Sequence, residues 1–191
     1  SSIWDWVDQG LRKKPDPVAL AVDKKQNLTA TIKGSIEDGP EGQKSLNGYM
    51  ILEDLPALDI TGENLTLQAW VKPDRSGAEH QPIIAKGDTQ YSLKVNGRQL
   101  EFFIYDGTWQ TVNADLPENW YDRWHRVTGT YNGSVLRLYI DSQEVASREY
   151  QGSIRHSNYP VGIGINPQDT GRRFNGLISM VRIFDQPLID E

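Results

Sequence analysis

The chain has 191 residues, a length that suits one domain with a substantial hydrophobic core. Hydrophobic residues make up 37% and charged residues 24% of the sequence, which is typical of a folded globular protein rather than a disordered one. The net charge of −6 without a basic stripe argues against a nucleic-acid partner, and the absence of cysteine excludes disulfide and thiolate chemistry. No apolar run approaches the roughly 18 residues of a membrane span, so we expect no membrane partner.

The first 17 residues differ in character from the rest. Tryptophan and aspartate alternate with apolar residues in the segment Ile3-Trp4-Asp5-Trp6-Val7-Asp8-Gln9-Gly10-Leu11. Neither face of this segment is simply apolar, which indicates a strand end where aromatic rings and carboxylates share a cleft. A charged stretch with two prolines follows at 12–17 and cannot continue regular strand pairing.

The segment 3–11 resembles, nearly residue for residue, the segment that closes the catalytic barrel of family-2 glycoside hydrolases of the β-galactosidase type. The barrel that would precede it is absent from this sequence. The resemblance implies that residues 1–17 are a barrel remnant and linker of a parent that hydrolyses terminal β-galactosides. It also implies that Trp4 forms an aromatic wall of the parent's galactoside-binding cleft, with Asp5 beside it. A bacterial glycan-degrading parent of this kind favours a periplasmic or extracellular location.

From residue 18 onward the chain consists of short alternating segments separated by turn signals. Pairs of the Asn-Gly or Asp-Gly type at 96–97, 106–107 and 132–133 supply the positive φ that tight hairpin turns require. The segments that we predict as strands are 49–52, 65–72, 83–86, 91–95, 100–105, 124–131, 136–141, 145–150, 161–165 and 177–184. This pattern predicts an all-β fold, a two-sheet antiparallel jelly-roll sandwich with less than about a tenth of its residues in helices.

Three segments resemble core strands of laminin-G-like, concanavalin A-like jelly rolls. They are Leu65-Thr66-Leu67-Gln68-Ala69-Trp70-Val71-Lys72-Pro73, the run 124–141 that starts Trp124-His125-Arg126-Val127, and the closing strand Phe174-Asn175-Gly176-Leu177-Ile178-Ser179-Met180-Val181-Arg182-Ile183-Phe184. They arrive in that family's order and extend the resemblance from Asn47 to Leu188. The resemblance implies that residues 18–191 form one such domain, in which Trp70, Trp124 and His125 occupy packing positions.

Carboxylates are the residues that a hydrolytic jelly roll would need, paired on one strand so that both reach a glycosidic bond. No such run exists here, since Glu37 and Asp38 lie near glycines and Glu101 stands alone between Leu100 and Phe102. We interpret all of them as solvated surface carboxylates. The chain is therefore expected to have no catalytic residues of its own and to leave β-galactosides unhydrolysed.

Aromatic residues in turn-like segments are the candidates for sugar binding, because tryptophan and tyrosine faces stack on the apolar face of pyranose rings. Trp109 follows the Asp-Gly turn, and Trp120 with Tyr121 follows a proline-containing stretch. Further candidates of the same kind are Tyr105 and Tyr159. The alternative is that these tryptophans plug the end of the sandwich or dock against other domains, and the sequence slightly favours it.

A structural calcium ion is the one cofactor that the laminin-G-like resemblance implies, held near the closing strand by a carboxylate and carbonyl oxygens. The aspartate common at that place in the family is Ser179 here. Asp38, Asn47 and Asn175 are the remaining candidate ligands. The missing aspartate favours a polar loop that is closed by its own hydrogen bonds.

These observations give two functional hypotheses. The first is a non-catalytic accessory β-sandwich of a β-galactosidase-like glycosidase, with a structural role between that enzyme's other domains, which are its expected partners. The alternative is a carbohydrate-binding module that holds the enzyme on glycan through its loop aromatics.

Overall fold

The computed structural model describes residues 18–23, 28–53, 56–75 and 77–187, and these form an all-β domain. The fifteen strands in chain order are β1 Val18–Asp23, β2 Leu28–Asp38, β3 Lys44–Leu52, β4 Asn64–Pro73, β5 His80–Ala85, β6 Tyr91–Asn96, β7 Gln99–Tyr105, β8 Trp109–Asp115, β9 His125–Asn132, β10 Val135–Ile140, β11 Gln143–Glu149, β12 Val161–Ile163, β13 Ile165–Asn166, β14 Asp169–Arg173 and β15 Gly176–Phe184. The helical elements of the described chain are two single 3₁₀ turns, Pro40–Gly42 and Pro56–Leu58. The predicted all-β fold with little helix is confirmed.

Thirteen of the fifteen strands form two layers that are joined at β3, and β13 and β14 pair with each other as a separate hairpin. One layer runs β11-β10-β9-β4-β15 and the other β12-β5-β6-β7-β8, and all of their pairings are antiparallel. One edge of β3 pairs with β15 through residues 45–47 and with β12 through residues 50–52. Its other edge pairs with β2, which carries β1. On the far side β8 approaches β10 and β11, so the sandwich is nearly closed.

The core lies between the layers and follows the period-two alternation of the strands. On β10, Leu136, Leu138 and Ile140 are buried while the residues between them are half-exposed. The layers pack closely where Gly129 of β9 faces Phe102 of β7, since a Cβ on this glycine would lie 2.4 Å from the phenylalanine ring. A side chain therefore has no space at position 129.

The predicted hairpin turns are confirmed at both ends of β7, where it meets β6 and β8, and between β9 and β10. Four strands were not predicted, namely β1, β2, β8 and β14. Among the described residues, no helix has the length and apolar character needed to cross a bilayer.

Glu101 corrects one prediction, because it is not a solvated surface carboxylate. Its carboxylate lies 3.0 Å from the Lys94 ammonium group, and both side chains are nearly buried. The Asn96 side chain donates a further hydrogen bond to it at 3.1 Å. Pairing between β6 and β7 brings these three residues together, so Glu101 stabilises the contact between these two strands.

Candidate functional site

An exposed aromatic ring marks one end of the sandwich. Trp109 opens β8 with 60% of its surface exposed, and it and Val145 are the large hydrophobic side chains that the described residues leave exposed. Tyr105 lies opposite Trp109 in the β7–β8 pair, with the ring centroids 5.7 Å apart and the planes at 62°. The indole N–H donates a hydrogen bond of 2.7 Å to the carbonyl of Asp88. We call the Trp109 ring, with Tyr105 at its edge, the Trp109 platform.

The turn that precedes Trp109 is organised by the carboxylate of Asp106. This carboxylate accepts hydrogen bonds from the backbone N–H and the hydroxyl of Thr108, both at 2.9 Å, and from the hydroxyl of Tyr150. The bond from Tyr150, followed by those from Thr108, holds the pKa of Asp106 well below its ordinary value. Burial, with the same bond to Asp106, raises the pKa of Tyr150 to about 12. The turn is therefore fixed by a charge-assisted contact from outside the hairpin.

Asp88, in the loop between β5 and β6, connects the platform to the β13–β14 hairpin. Its carboxylate accepts hydrogen bonds from the Asn166 amide at 2.9 Å and from the Arg172 guanidinium at 3.0 Å. Its N–H donates to the side-chain oxygen of Gln168 at 2.9 Å. The carbonyl of Asp88 also accepts the hydrogen bond from the indole of Trp109. The β13–β14 hairpin therefore supports the ring indirectly, through Asp88.

A third loop, which follows β11, completes this end of the sandwich. The N–H of Arg155 donates to the carbonyl of Tyr105 at 2.8 Å, and its exposed guanidinium lies over Gly107. A Cβ on Gly107, whose φ is +124°, would lie 2.9 Å from the guanidinium carbon, so glycine leaves the space that Arg155 occupies.

His156 anchors the loop that follows β11 through two side-chain contacts. Its two ring nitrogens lie 2.7 Å from the carboxylate of Asp59 and 2.7 Å from the side-chain oxygen of Asn158. These contacts, with Asn158 contributing most, raise the pKa of His156. Burial raises the pKa of Asp59, but hydrogen bonds from Gln90 and His156 outweigh it and leave that pKa lowered. Three loops and one hairpin thus converge on the platform through directed polar contacts.

Trp120 is in the core and cannot present a face to a ligand, which corrects the expectation that it belongs to an accessible stacking surface. It is 1% exposed and stacks on His125, with the ring centroids 5.0 Å apart and the planes at 18°. The imidazole is fixed by the carboxylate of Asp141 at 2.7 Å. Trp120 therefore has a packing role, as in the alternative that the sequence favoured for these tryptophans.

The other aromatic candidates are half-buried. Tyr121 packs against the core, and the Arg75 guanidinium lies 5.5 Å from its ring centroid. The ring of Tyr159 lies against Gly87. Trp70 and Trp124, which were predicted at packing positions, are also half-buried. Trp4 and Asp5 lie outside the described residues.

Two of the three calcium candidates meet in a polar groove of about 440 Å³. Asn47 and Asn175 line it together with Asp74, whereas Asp38 forms an ion pair with Lys44 at 2.7 Å. Within the part of the chain that the structure describes, no group of three or more histidine, cysteine, aspartate or glutamate residues could hold a metal ion. The groove supplies one carboxylate and two amides, and a calcium ion there stays the less favoured alternative to a polar loop that is closed by its own hydrogen bonds.

Ser179 has a role of its own at the place where an aspartate is common in the laminin-G-like family. It is fully buried, and its hydroxyl donates a hydrogen bond of 2.7 Å to the carbonyl of Lys44. It therefore closes the contact between β15 and β3.

Fold and site together define a jelly-roll domain with an aromatic surface at one end. Residues 44–191 match the Laminin_G_3 family, which is described as the concanavalin A-like lectin/glucanases superfamily. The match covers most of the chain, and the protein belongs to this family. No curated protein matches the sequence significantly.

Several solved structures share the fold at low sequence identity. The binding domain of Paraclostridial Mosquitocidal Protein 1 superposes with a TM-score of 0.69 at 15% identity over 91% of this chain and 49% of that one. The binding domain of botulinum neurotoxin serotype G gives a TM-score of 0.68 at 16% identity over 89% and 46%. The binding domain of botulinum neurotoxin DC, solved in complex with SialylT, superposes with a TM-score of 0.64 at 16% identity, over 89% of this chain and 45% of that one. The chain thus spans about half the length of these neighbours.

Proposed function

We propose that this domain is a carbohydrate-binding module and that the Trp109 platform is its stacking surface. The observation that carries the proposal is the indole of Trp109, which is 60% exposed although its edge is fixed by the carbonyl of Asp88. An indole face left open in this way suits the apolar face of a pyranose ring.

Preorganisation supports the same proposal. The Asp106 carboxylate fixes the turn before Trp109, and Asp88 ties the ring to the β13–β14 hairpin, so little side-chain entropy remains to be lost on binding. A single open platform desolvates few atoms, and we expect dissociation constants on the order of tens of micromolar to millimolar.

The structural neighbours add support at the level of the fold. They include binding domains of toxins, one of them solved in complex with SialylT. A shared fold can carry different functions, so the fold alone does not assign sugar binding to this chain and the Trp109 platform is the feature that supports it.

A glycan array followed by calorimetry tests the proposal. The wild-type chain is expected to bind a set of oligosaccharides, and Trp109→Ala to abolish that binding while the chain stays folded, with a melting temperature only about 2–4 °C lower. Val145→Ala is the matched control, because it shortens the other exposed hydrophobic side chain. Undiminished binding by Trp109→Ala, or no binding by the wild-type chain to any glycan of the array, would contradict the proposal.

A second, compatible proposal concerns the parent protein. The resemblance of residues 3–11 to family-2 glycoside hydrolases supports a β-galactosidase-like parent in which this domain is a non-catalytic accessory unit. The proposal predicts that the reading frame upstream of Ser1 encodes a barrel with two catalytic glutamates, and that the isolated chain does not hydrolyse chromogenic β-galactosides. An upstream sequence without such a barrel would rule this parent out.

A further inference from the structure

A cation without an ionic partner lies beside the Trp109 platform. The guanidinium of Arg155 is exposed and lies over Gly107, two residues before Trp109, while its backbone N–H is bonded to the carbonyl of Tyr105. Among the described residues no carboxylate lies within ion-pair distance of it. The backbone of Arg155 is thus fixed beside Tyr105, and its guanidinium is exposed to solvent.

Two other arginines near this end of the sandwich already use their guanidinium groups in contacts with the protein. Arg172 lies 3.0 Å from Asp88 and 3.0 Å from Asp169. Arg148 donates to the carbonyl of Thr111 at 3.2 Å and to the side-chain oxygen of Gln110 at 3.1 Å.

The carboxylate of Asp106, one residue before Gly107, accepts hydrogen bonds from Tyr150 and Thr108 and forms no ion pair with Arg155. Of these three arginines, Arg155 is therefore the one whose guanidinium makes no hydrogen bond or ion pair with the described residues and stays available to a ligand seated on Trp109.

We propose that the Trp109 platform selects acidic sugars, and that the Arg155 guanidinium holds the carboxylate or sulfate group of the stacked residue. This inference assumes the carbohydrate-binding function proposed above. The planar guanidinium matches the two oxygens of a carboxylate or sulfate in a bidentate pair, which is stronger than a hydrogen bond to a neutral hydroxyl. The turn glycine leaves room for the charge at this place, because a side chain at 107 would displace the guanidinium.

Matched pairs of oligosaccharides test this inference. The difference in affinity between oligogalacturonate and its methyl ester tests recognition of a carboxylate. The difference between sulfated and desulfated galactan oligosaccharides tests recognition of a sulfate. Wild type is expected to bind the acidic member of at least one pair about tenfold or more tightly than the neutral member, as a charge-assisted contact predicts. Arg155→Gln should reduce that affinity to the level of the neutral member, whereas Trp109→Ala should abolish binding of both.

Arg98→Gln is the control, since Arg98 is an exposed arginine in the turn at the opposite end of β7. It should leave the preference unchanged, and the melting temperatures of both arginine variants should equal that of wild type. Equal affinity for the members of every pair, or an acidic preference that survives Arg155→Gln, would overturn the inference and leave carbohydrate binding standing. Binding by wild type to neither member of any pair would also overturn it, and the glycan array then decides the function separately.

Discussion

The hydroxyl of Tyr150 donates a hydrogen bond to the carboxylate of Asp106, which lies 44 residues earlier in the chain. Tyr150 follows β11 in one layer and Asp106 follows β7 in the other, so this contact joins the two layers at the end where Trp109 is exposed. The position of the proposed sugar-binding surface thus depends on a bond between side chains that are remote in sequence.

Tyr150→Phe removes that bond and leaves the Asp106 carboxylate with one donor fewer. We expect the free energy of unfolding at neutral pH to fall by about 2 kcal/mol, the usual cost of losing a hydrogen bond to a charged group. Urea unfolding measures it. Tyr121→Phe serves as the control, because the hydroxyl of Tyr121 makes no hydrogen bond with the described residues.

The same pair predicts how stability changes at alkaline pH. The pKa of Tyr150 is raised from an ordinary value of 10.0 to about 12 in the folded protein, so the unfolded chain loses this proton first. The stabilising contribution is therefore complete below pH 10 and is lost as the pH rises towards 12. The stability advantage of wild type over Tyr150→Phe should shrink across that interval, and an advantage that stays constant would contradict the assignment.

Replacement by alanine should reduce stability far more at Trp120 than at Trp109. Trp120→Ala empties a fully buried site against His125 and should cost about 3–5 kcal/mol, which lowers the melting temperature by roughly 10 °C. Trp109→Ala removes an exposed ring and one hydrogen bond to Asp88, and should lower the melting temperature by only about 2–4 °C. Differential scanning calorimetry on both variants compares them directly. Equal melting temperatures for Trp120→Ala and wild type would place Trp120 at the surface.

Gly129→Ala tests the close approach of the two layers. The added methyl group would lie 2.4 Å from the Phe102 ring, a distance that real side chains do not reach, and one of the layers must move. Overpacking of this kind costs about 1–3 kcal/mol. Gly171→Ala on β14 is the control, because the site is exposed and the one atom within 4 Å of the new Cβ is an oxygen of the flexible Asp169 side chain at 3.3 Å, which can move aside. If both variants unfold at the same denaturant concentration, the predicted packing of Phe102 on Gly129 is wrong.

His156 should titrate above its ordinary value of 6.5, since Asn158 and Asp59 stabilise its protonated form. The stabilising contribution of a raised pKa is complete below 6.5 and is lost as the pH rises through the folded value. His156→Gln should therefore lower stability more at pH 5 than at pH 8. Nuclear magnetic resonance of the imidazole protons measures the pKa directly, and Asp59→Asn should lower it. An imidazole pKa below 6.5 in wild type would show that the two contacts do not form.

The sequence was sufficient to predict most of the fold, because strand alternation and hairpin turns are local signals. Strand β9 was predicted to within one residue at each end, and its turn into β10 was located from Asn132-Gly133. Strand β8 was missed because Val112 is its one buried residue, so the segment shows no apolar alternation. The same weakness applies to β14, in which no residue is buried.

The site was predictable only in part. Trp109 was among the candidates, but the sequence could not separate it from Trp120, since the distinction depends on His125 packing against Trp120. Asp88 and Arg155 carry no local signal of a role beside Trp109. They reach it through the order of strands across the sandwich, which short-range patterns do not determine.

The most direct test of the account follows the indole N–H signals of the six tryptophans while the chain is titrated with its best-binding oligosaccharide from the array. The Trp109 signal is assigned by its loss in Trp109→Ala. We predict that this signal and the backbone amides of the β7–β8 turn shift in proportion to saturation, while the buried Trp120 indole stays unchanged. Saturation with no change at Trp109, or with the largest change at another tryptophan, would contradict the central claim that the Trp109 platform binds the sugar.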